Sequence, residues 1–215
     1  MELFFFIIFI LKLNIKINSF MELFFYFLIL TLILLFTDFY LGVLMRGDLC
    51  EGIVTINIEK GSQRAVSLNQ KSQFGKLSQD SLELSIIEAC YLMESGRLDI
   101  YENNEKCEIS YIINLIKDQD IYGKYLVYKD LKNRGYIIKT GFKYGSEFRL
   151  YERGTGSGHA HSDFLVKVLY ETSEVNVLDF ASYVRVSHGV NKRLLLAVVD
   201  DDLDVTYYNI EWTRP

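Results

Sequence analysis

From residue 45 onward, segments with strand-like spacing of apolar residues alternate with segments of helix-like spacing, and this alternation restricts the chain to a mixed α/β fold. Residues 52–59 alternate apolar and polar positions and are rich in β-branched side chains, which predicts a half-buried strand. Apolar residues at helical spacing predict a helix over 81–92, with Gly96 placed to end it. The pattern continues with a short strand and a second helix, at 98–101 and 111–116.

A charged patch at residues 117–120 separates this small N-terminal α/β module from a second module. Apolar residues three and four apart predict a helix over 125–131 that stops at Gly135. Strands are predicted at 136–140, 147–152 and 164–170, followed by a helix at 177–190. A central strand at 193–199, an acidic turn at 200–204 and a closing strand at 205–212 complete the module. We therefore divide the chain into three parts, at 1–44, 45–120 and 121–215.

The first part is a hydrophobic extension dominated by Phe, Leu and Ile. Residues 23–36 form an apolar run broken only by Thr31, close to the roughly 20 residues that a membrane helix needs. A membrane anchor is one interpretation. The other is translated upstream DNA with the true start at Met45, because residues 1–44 lack Ala, Pro, Arg, Cys, His, Gln and Trp and resemble A/T-rich coding. We expect the Met45 start and no membrane attachment.

Charge and cysteine content narrow the function classes. The net charge of −5 argues against a broadly basic nucleic-acid binder. The charge is uneven, however: residues 45–120 hold 8 Lys and Arg against 13 Asp and Glu, whereas residues 121–200 hold 12 against 8. Any RNA contact is expected on the later segment, although ordinary solvated surface gives the same asymmetry.

The three cysteines show neither disulfide-like nor zinc-like spacing, so we predict a cytoplasmic protein without metal or cofactor.

Ionisable residues concentrate at strand ends and in a glycine-rich loop of the second module. A predicted strand ends with Phe148-Arg-Leu-Tyr151, and a loop of Gly, Thr and Ser then leads to His159 and His161. Loops on rigid scaffolds often display reactive groups, although a loop histidine is also commonly just solvated. In an extended segment His159 and His161 would point to the same side and imitate a metal pair, but no third ligand is evident.

Several motifs in this order resemble the archaeal tRNA-splicing endonucleases, over about residues 47–215 and most strongly from residue 124. The resemblance is carried by Tyr125-Leu-Val-Tyr-Lys-Asp-Leu, Arg134-Gly-Tyr-Ile-Ile-Lys-Thr-Gly, Lys143-Tyr-Gly-Ser-Glu-Phe-Arg-Leu-Tyr-Glu-Arg-Gly, His161-Ser, Val184-Arg-Val-Ser-His-Gly-Val, Lys192 and Val205-Thr-Tyr-Tyr-Asn. It implies that 121–215 is a restriction-endonuclease-like catalytic nuclease domain with a central mixed sheet. It also implies a single-length subunit that works as a homotetramer on precursor tRNA.

The same resemblance implies a catalytic triad of Tyr151, His161 and Lys192. Such a triad suits cleavage by the RNA's own 2′-hydroxyl at bulge-helix-bulge structures, without a metal ion. Tyr151 would accept the 2′-hydroxyl proton, His161 would protonate the leaving 5′-oxygen, and Lys192 would stabilise the charged transition state. The implied products are a 2′,3′-cyclic phosphate and a 5′-hydroxyl.

Two further assignments follow from the resemblance. Arg185 is placed to stack on a bulged base, for which a planar guanidinium is well suited, and a surface ion pair is the alternative. An acidic loop near the C-terminus docks into a basic pocket of an opposing subunit in this family, and terminal strands pair between subunits. The four carboxylates that match this loop are Asp200, Asp201, Asp202 and Asp204. A solvated hairpin tip is the simpler interpretation of that turn.

Two other functions remain open at this point. A metal-dependent DNA nuclease on the same fold would need an acidic pair and a lysine at strand ends, but the only proline is Pro215, so no Pro-Asp motif occurs. A non-catalytic subunit of a heteromeric splicing endonuclease would keep the docking loop and lose the triad, whereas this chain has the residues of both.

Overall fold

The computed structural model describes residues 44–58, 63–151 and 162–213. Leu44–Pro215 form one compact unit. Within the described ranges, no helix has both the length and the apolar character needed to cross a membrane. The predicted hydrophobic extension at 1–44 lies outside these ranges except for Leu44.

The N-terminal module is a sheet of six strands with three helices. Its strands are β1 (Met45–Cys50), β2 (Ile53–Asn57), β3 (Lys76–Leu77), β4 (Ser81–Ser85), β5 (Leu98–Glu102) and β6 (Glu105–Lys106). Its helices are α1 (Gln63–Ser72), α2 (Ile86–Glu94) and α3 (Ile109–Asp118). The strand order is β3-β4-β2-β1-β5-β6, and β1 pairs with β5 in parallel, whereas the other pairs are antiparallel.

The C-terminal module is a second sheet of five strands. Its elements are α4 (Tyr122–Asn133), β7 (Ile137–Thr140), a 3₁₀ turn (Phe142–Tyr144), β8 (Phe148–Tyr151), β9 (Phe164–Tyr170), α5 (Val177–Gly189), β10 (Arg193–Val199) and β11 (Val205–Ile210). The strand order is β11-β10-β9-β8-β7, with β9 and β10 parallel and the other neighbours antiparallel. This confirms the predicted mixed sheet and the interior position of β10.

The helix predicted over 81–92 is wrong for residues 81–85 and right from residue 86 onward. The first five of these residues form β4, and α2 begins only at Ile86. The boundary is set by a capping box, in which the Ser85 hydroxyl accepts a hydrogen bond from the Glu88 amide and the Glu88 carboxylate accepts one from the Ser85 amide. Pairing with β2 and β3 overrides the helical spacing of the apolar residues before this cap.

The sequence pattern also missed β1 and α1. Only Ala65 and Leu68 of α1 are buried, so its apolar pattern is weak. The six residues of β1 carry no β-branched side chain, yet β1 lies inside the sheet between β2 and β5. Gly47 is required there, because a Cβ at this position would lie 2.5 Å from Cγ1 of Val54.

One continuous hydrophobic core joins the two modules, from Leu49 in the first sheet to Val199 in the second. A chain of aromatic rings crosses the junction. The ring centroids of Phe74 and Tyr91 are 6.0 Å apart, those of Tyr91 and Tyr128 are 5.9 Å apart, and those of Tyr128 and Phe148 are 6.0 Å apart. The second sheet is therefore packed, through α4, on a rigid N-terminal support.

We expect Tyr128→Phe and Tyr207→Phe to change stability in opposite directions. The buried Tyr128 hydroxyl has no hydrogen-bond partner among the described residues, whereas the Tyr207 hydroxyl donates to Asp130 at 2.8 Å. Removing an unsatisfied buried hydroxyl should raise the free energy of unfolding by about 1 kcal/mol, and removing the bonded one should lower it by about 1–2 kcal/mol. Urea unfolding of both variants measures this. A loss of stability in Tyr128→Phe would show that its hydroxyl is satisfied after all.

Candidate active site

The predicted catalytic residues Tyr151 and Lys192 lie at the same end of the second sheet. Leu150, Phe164 and Arg193 form one row across β8, β9 and β10. Tyr151 ends β8 directly after this row, and Lys192 directly precedes β10. The backbone amide of Asp163 donates to Leu150 at 2.9 Å, and that of Arg193 donates to Asp163 at 3.0 Å. Strand pairing thus fixes the backbone from which the Tyr151 and Lys192 side chains project.

Lys192 is held by bonds to both neighbouring elements. Its amide donates to the carbonyl of Ser187 in α5 at 2.9 Å. Its ammonium Nζ donates to the carbonyl of Ser162 at 2.7 Å. Because this bond joins residues 30 positions apart, it depends on the parallel pairing of β9 and β10. The cation of Lys192 is therefore aimed at the chain segment that enters β9.

Ser162 is the residue that follows His161 in the sequence. It is only 4% exposed, and its hydroxyl has no hydrogen-bond partner among the described residues. His161 and His159 themselves lie outside the described residues, so the assignment of His161 stays a prediction. What the structure does show is that Ser162, its direct neighbour in the sequence, is anchored beside Lys192.

A cavity of about 430 Å³ opens beside Lys192. Its walls include Ser162, Asp163, Val184, Ser187, His188, Asn191, Lys192, Arg193, Ile210, Glu211 and Trp212. The rings of His188 and Trp212 meet edge to face with their centroids 4.8 Å apart. No sequence signal points to His188, since a histidine near the end of a helix has no distinctive spacing. Among the described residues, no three His, Cys, Asp or Glu side chains are grouped to hold a metal ion.

Arg185 and the acidic turn lie on the surface, away from the buried core. Arg185 projects from α5, is exposed, and makes no salt bridge with any residue that the structure describes. The carboxylates of residues 200–204 occupy the turn between β10 and β11, where a turn was predicted. Of the aromatic residues near the C-terminus, Tyr207 is bonded to Asp130, whereas Tyr208 and Trp212 are 52% and 42% exposed.

Comparison with known families decides the identity of the chain. Residues 45–111 match the family described as tRNA intron endonuclease, N-terminal domain, and residues 121–207 match the tRNA intron endonuclease, catalytic C-terminal domain. The chain belongs to the tRNA intron endonuclease family. It is therefore an endonuclease, as the resemblance in its sequence implied, and Tyr151, Arg185 and Lys192 all lie in the part that matches the catalytic domain.

Similar proteins support the same membership. The chain is 51% identical over 171 residues to a tRNA-splicing endonuclease of Methanothermobacter thermautotrophicus, covering 80% of this chain and 99% of that protein. It is 46% identical over 155 residues to one of Thermococcus gammatolerans, covering 71% of this chain and 90% of the relative. It is 42% identical over 158 residues to one of Pyrococcus furiosus, covering 71% and 91%.

Proposed function

We propose that this endonuclease excises introns from precursor tRNA by cutting both splice sites at bulge-helix-bulge structures, without a metal ion. The single observation that carries the proposal is the bond from the Lys192 ammonium to Ser162, next to His161, at the sheet end that also holds Tyr151. The names of the similar proteins support the choice of substrate. In this proposal, three residues far apart in the chain act together at one place in the catalytic domain.

The proposed reaction needs only these three side chains. Tyr151 takes the proton of the 2′-hydroxyl, whose oxygen attacks the adjacent phosphorus. The bond from phosphorus to the 5′-oxygen breaks, and His161 as imidazolium gives its proton to the leaving oxygen. The 2′,3′-cyclic phosphate and the 5′-hydroxyl are the products, so every proton and bond is accounted for.

Lys192 contributes its positive charge. Its ammonium stabilises the extra negative charge of the five-coordinate phosphorus in the transition state. Its hydrogen bond to Ser162 orients the ammonium in advance, so little reorganisation is needed during the reaction.

The decisive experiment incubates the purified full-length protein with an intron-containing precursor tRNA in buffer with EDTA and maps the ends of the products. We expect cuts at both intron boundaries with cyclic phosphate and 5′-hydroxyl ends. Cleavage that stops in EDTA would contradict metal independence. Cleavage of duplex DNA instead of RNA would favour a metal-dependent DNA nuclease. If cleavage requires a second protein, the chain is a non-catalytic subunit.

Base stacking is the role we propose for Arg185. Its guanidinium is exposed on α5, the helix that leads directly into Lys192, and it has no salt bridge within the described residues. A surface arginine used for stability would be expected to have such a partner, as Arg134 has in Asp130 at 2.7 Å. An exposed planar cation without such a partner in the described part of the chain is better suited to contact an unstacked nucleotide.

We expect Arg185→Ala to slow cleavage of a bulged substrate by roughly 5- to 150-fold, because stacking on one base is worth about 1–3 kcal/mol. Arg185→Lys should show a similar loss, since lysine keeps the charge but lacks the planar face. Single-turnover kinetics measure both, with Arg134→Ala as the matched surface control. If Arg185→Lys cleaves at the unmodified rate, charge alone is sufficient and the stacking role is wrong.

We further propose that the chain assembles as a homotetramer through its acidic turn. The turn is internally bonded: the Asp204 amide donates to the Asp200 carboxylate at 2.9 Å, and the Asp200 amide donates to the Asp204 carbonyl at 3.1 Å. These bonds leave Asp201 and Asp202 exposed at the tip. A rigid tip with outward carboxylates is suited to dock into a basic groove.

A groove of about 400 Å³ near α1 and α4 has the matching charge. The described residues that line it include Lys71, Arg97 and Lys132, and no Asp or Glu. Burial lowers the pKa of Lys132 to about 8, and the charge of Glu88 offsets this only in part. A docked carboxylate would stabilise the Lys132 ammonium, so we propose this groove as the receptor for the turn of an opposing subunit.

We expect replacement of Asp200, Asp201 and Asp202 together by Asn to shift tetramers toward dimers in light scattering, because the turn loses the charge that matches the groove. Lys132→Met in the groove should have the same effect. The control is Asp118→Asn with Asp120→Asn, which removes charge from another exposed acidic segment. An unchanged tetramer in the triple variant would reduce residues 200–204 to a solvated turn.

A cytoplasmic location remains part of the proposal. It is based on the cysteines, which are all free, with Cys50 exposed and Cys90 and Cys107 buried.

A further inference from the structure

The turn between β7 and β8 is rigid and presents two side chains that the proposed reaction does not use. The amide of Tyr144 donates to Gly141 at 2.8 Å, and the amide of Gly141 donates to Glu147 at 3.0 Å. Gly141 has no space for a side chain, because a Cβ would lie 2.8 Å from the carbonyl oxygens of Ser146 and Phe148. Lys143 and Tyr144 are thus displayed from a fixed backbone.

Arg149 lies beside this turn and on the same face of the sheet as Tyr151. The two residues are two positions apart in β8, so their side chains point to the same side. The Arg149 Nε donates to the carbonyl of Thr140 at 2.8 Å, which fixes the guanidinium across the hairpin. Its two terminal nitrogens make no hydrogen bond or salt bridge with any residue in the described part of the chain, so they are available for a ligand.

Electrostatics connect this cluster with Lys192. The neighbouring Lys143 ammonium lowers the pKa of Tyr144, and the charges of Lys192 and Arg149 lower it further. The Lys143 ammonium also lies 4.8 Å from the centre of the Tyr144 ring. The charge of Lys192 therefore acts on the Tyr144 hydroxyl together with those of Lys143 and Arg149.

None of Lys143, Arg149 and Lys192 forms a salt bridge with a carboxylate of the described residues, and the nearby Glu147 is already paired with Lys167 at 3.0 Å. Cations without a carboxylate partner in this part of the chain attract an anion, and a guanidinium with two available terminal nitrogens is suited to bind phosphate oxygens in a bidentate manner. A tyrosine hydroxyl is a common additional donor to phosphate.

We propose that Lys143, Tyr144 and Arg149 form a second phosphate site, which holds the RNA backbone next to the scissile phosphate. This inference rests on the proposed function and adds RNA-binding residues to it. The site binds backbone phosphate and not bases, so it contributes affinity for the strand without sequence preference. It gives a role to Lys143 and Arg149, two cations that the reaction itself does not require.

The test measures binding separately from chemistry. The full-length protein is titrated with precursor tRNA that carries 2′-deoxynucleotides at the two cleavage positions, so that it binds without being cut. The Kd is measured at several salt concentrations for the unmodified protein, for Lys143→Ala and for Lys143→Ala with Arg149→Ala. Lys117→Ala, an exposed lysine on α3, is the matched control. Cleavage rates at saturating protein are measured with the ordinary substrate.

For each phosphate that a variant no longer binds, the slope of log Kd against log salt should fall by about 0.7–0.9, and the double variant should bind roughly 10-fold or more weakly at low salt. The cleavage rate at saturation should change less than about threefold. Tyr144→Phe should weaken binding less than Lys143→Ala, because it removes only one neutral donor. Lys117→Ala should match the unmodified protein.

An unchanged salt slope in the double variant would overturn the proposal, and so would a lower saturated rate with unchanged Kd, since that would place the cluster in the chemical step. Thermal unfolding of each variant shows whether Arg149 has only a structural role. Lys143→Ala tests the site while the bond from Arg149 to Thr140 stays intact. If the unmodified protein fails to cut precursor tRNA, the proposed function is wrong, which is a different result from altered binding in the variants.

Discussion

Replacing His161 with Ala is expected to lower the cleavage rate of precursor tRNA by at least about 100-fold, the scale typical of a positioned general acid. The leaving 5′-oxygen must otherwise depart without a proton. RNA binding should survive, because the phosphate contacts proposed for Lys143, Arg149 and Lys192 remain. Single-turnover cleavage and a separate binding titration measure the two effects.

His159→Ala is the matched control for this experiment. It removes the other imidazole of the same loop, two residues earlier in the sequence. We expect little change in rate, since the hydrogen bond from Lys192 anchors Ser162, which directly follows His161, whereas His159 is three residues from that fixed point. If His159→Ala is inactive and His161→Ala is not, the assignment of the general acid is wrong by two positions.

Lys192→Ala should reduce the saturated cleavage rate by about 100- to 1,000-fold, which is the range seen when one group that stabilises a charged transition state is removed. The variant loses the positive charge and also releases the carbonyl of Ser162. Lys192→Arg keeps the charge but changes the shape of the cation, and we expect it to recover only part of the rate.

Lys106→Ala serves as the control for Lys192→Ala. Its ammonium pairs with Asp99 in the N-terminal sheet at 2.8 Å, so the substitution removes one lysine charge away from the candidate site. Its cleavage rate should equal that of the unmodified protein. A loss in Lys192→Ala that is confined to substrate affinity, with the saturated rate unchanged, would contradict a role in the transition state.

The elements of the C-terminal module are those that the sequence predicted best. The predicted strand at 164–170 coincides with β9, and the helix at 177–190 agrees with α5 to within one residue. β9 is paired on both sides, with β8 and β10, and α5 begins at an Asn176 cap whose side chain accepts a hydrogen bond from the Leu178 amide. The prediction failed at 81–85, where the apolar spacing also fits a helix, and the observed strand is stabilised by pairing with β2 and β3.

The candidate site could be predicted only in part. Its residues were selected through the resemblance of short motifs, and the structure places Tyr151 and Lys192 at one end of the sheet. The partners of the two cations were not predictable, since Lys192 bonds to a carbonyl and Arg149 bonds across a hairpin. Backbone acceptors are available at every residue, so no side-chain pattern indicates which one a cation will contact.

The sequence by itself determined the mixed α/β class, the elements from 121 onward and the turn at 200–204. Those properties depend on local spacing and on the cost of burying charge, which short segments express directly. Only the tertiary structure decided that the Lys192 ammonium bonds to Ser162, and that the Arg149 guanidinium bonds to Thr140 beside the turn that carries Lys143 and Tyr144. These meetings follow from the register of β8, β9 and β10 and from the fold of the turn before β8, because pairing between distant strands determines which side chains become neighbours.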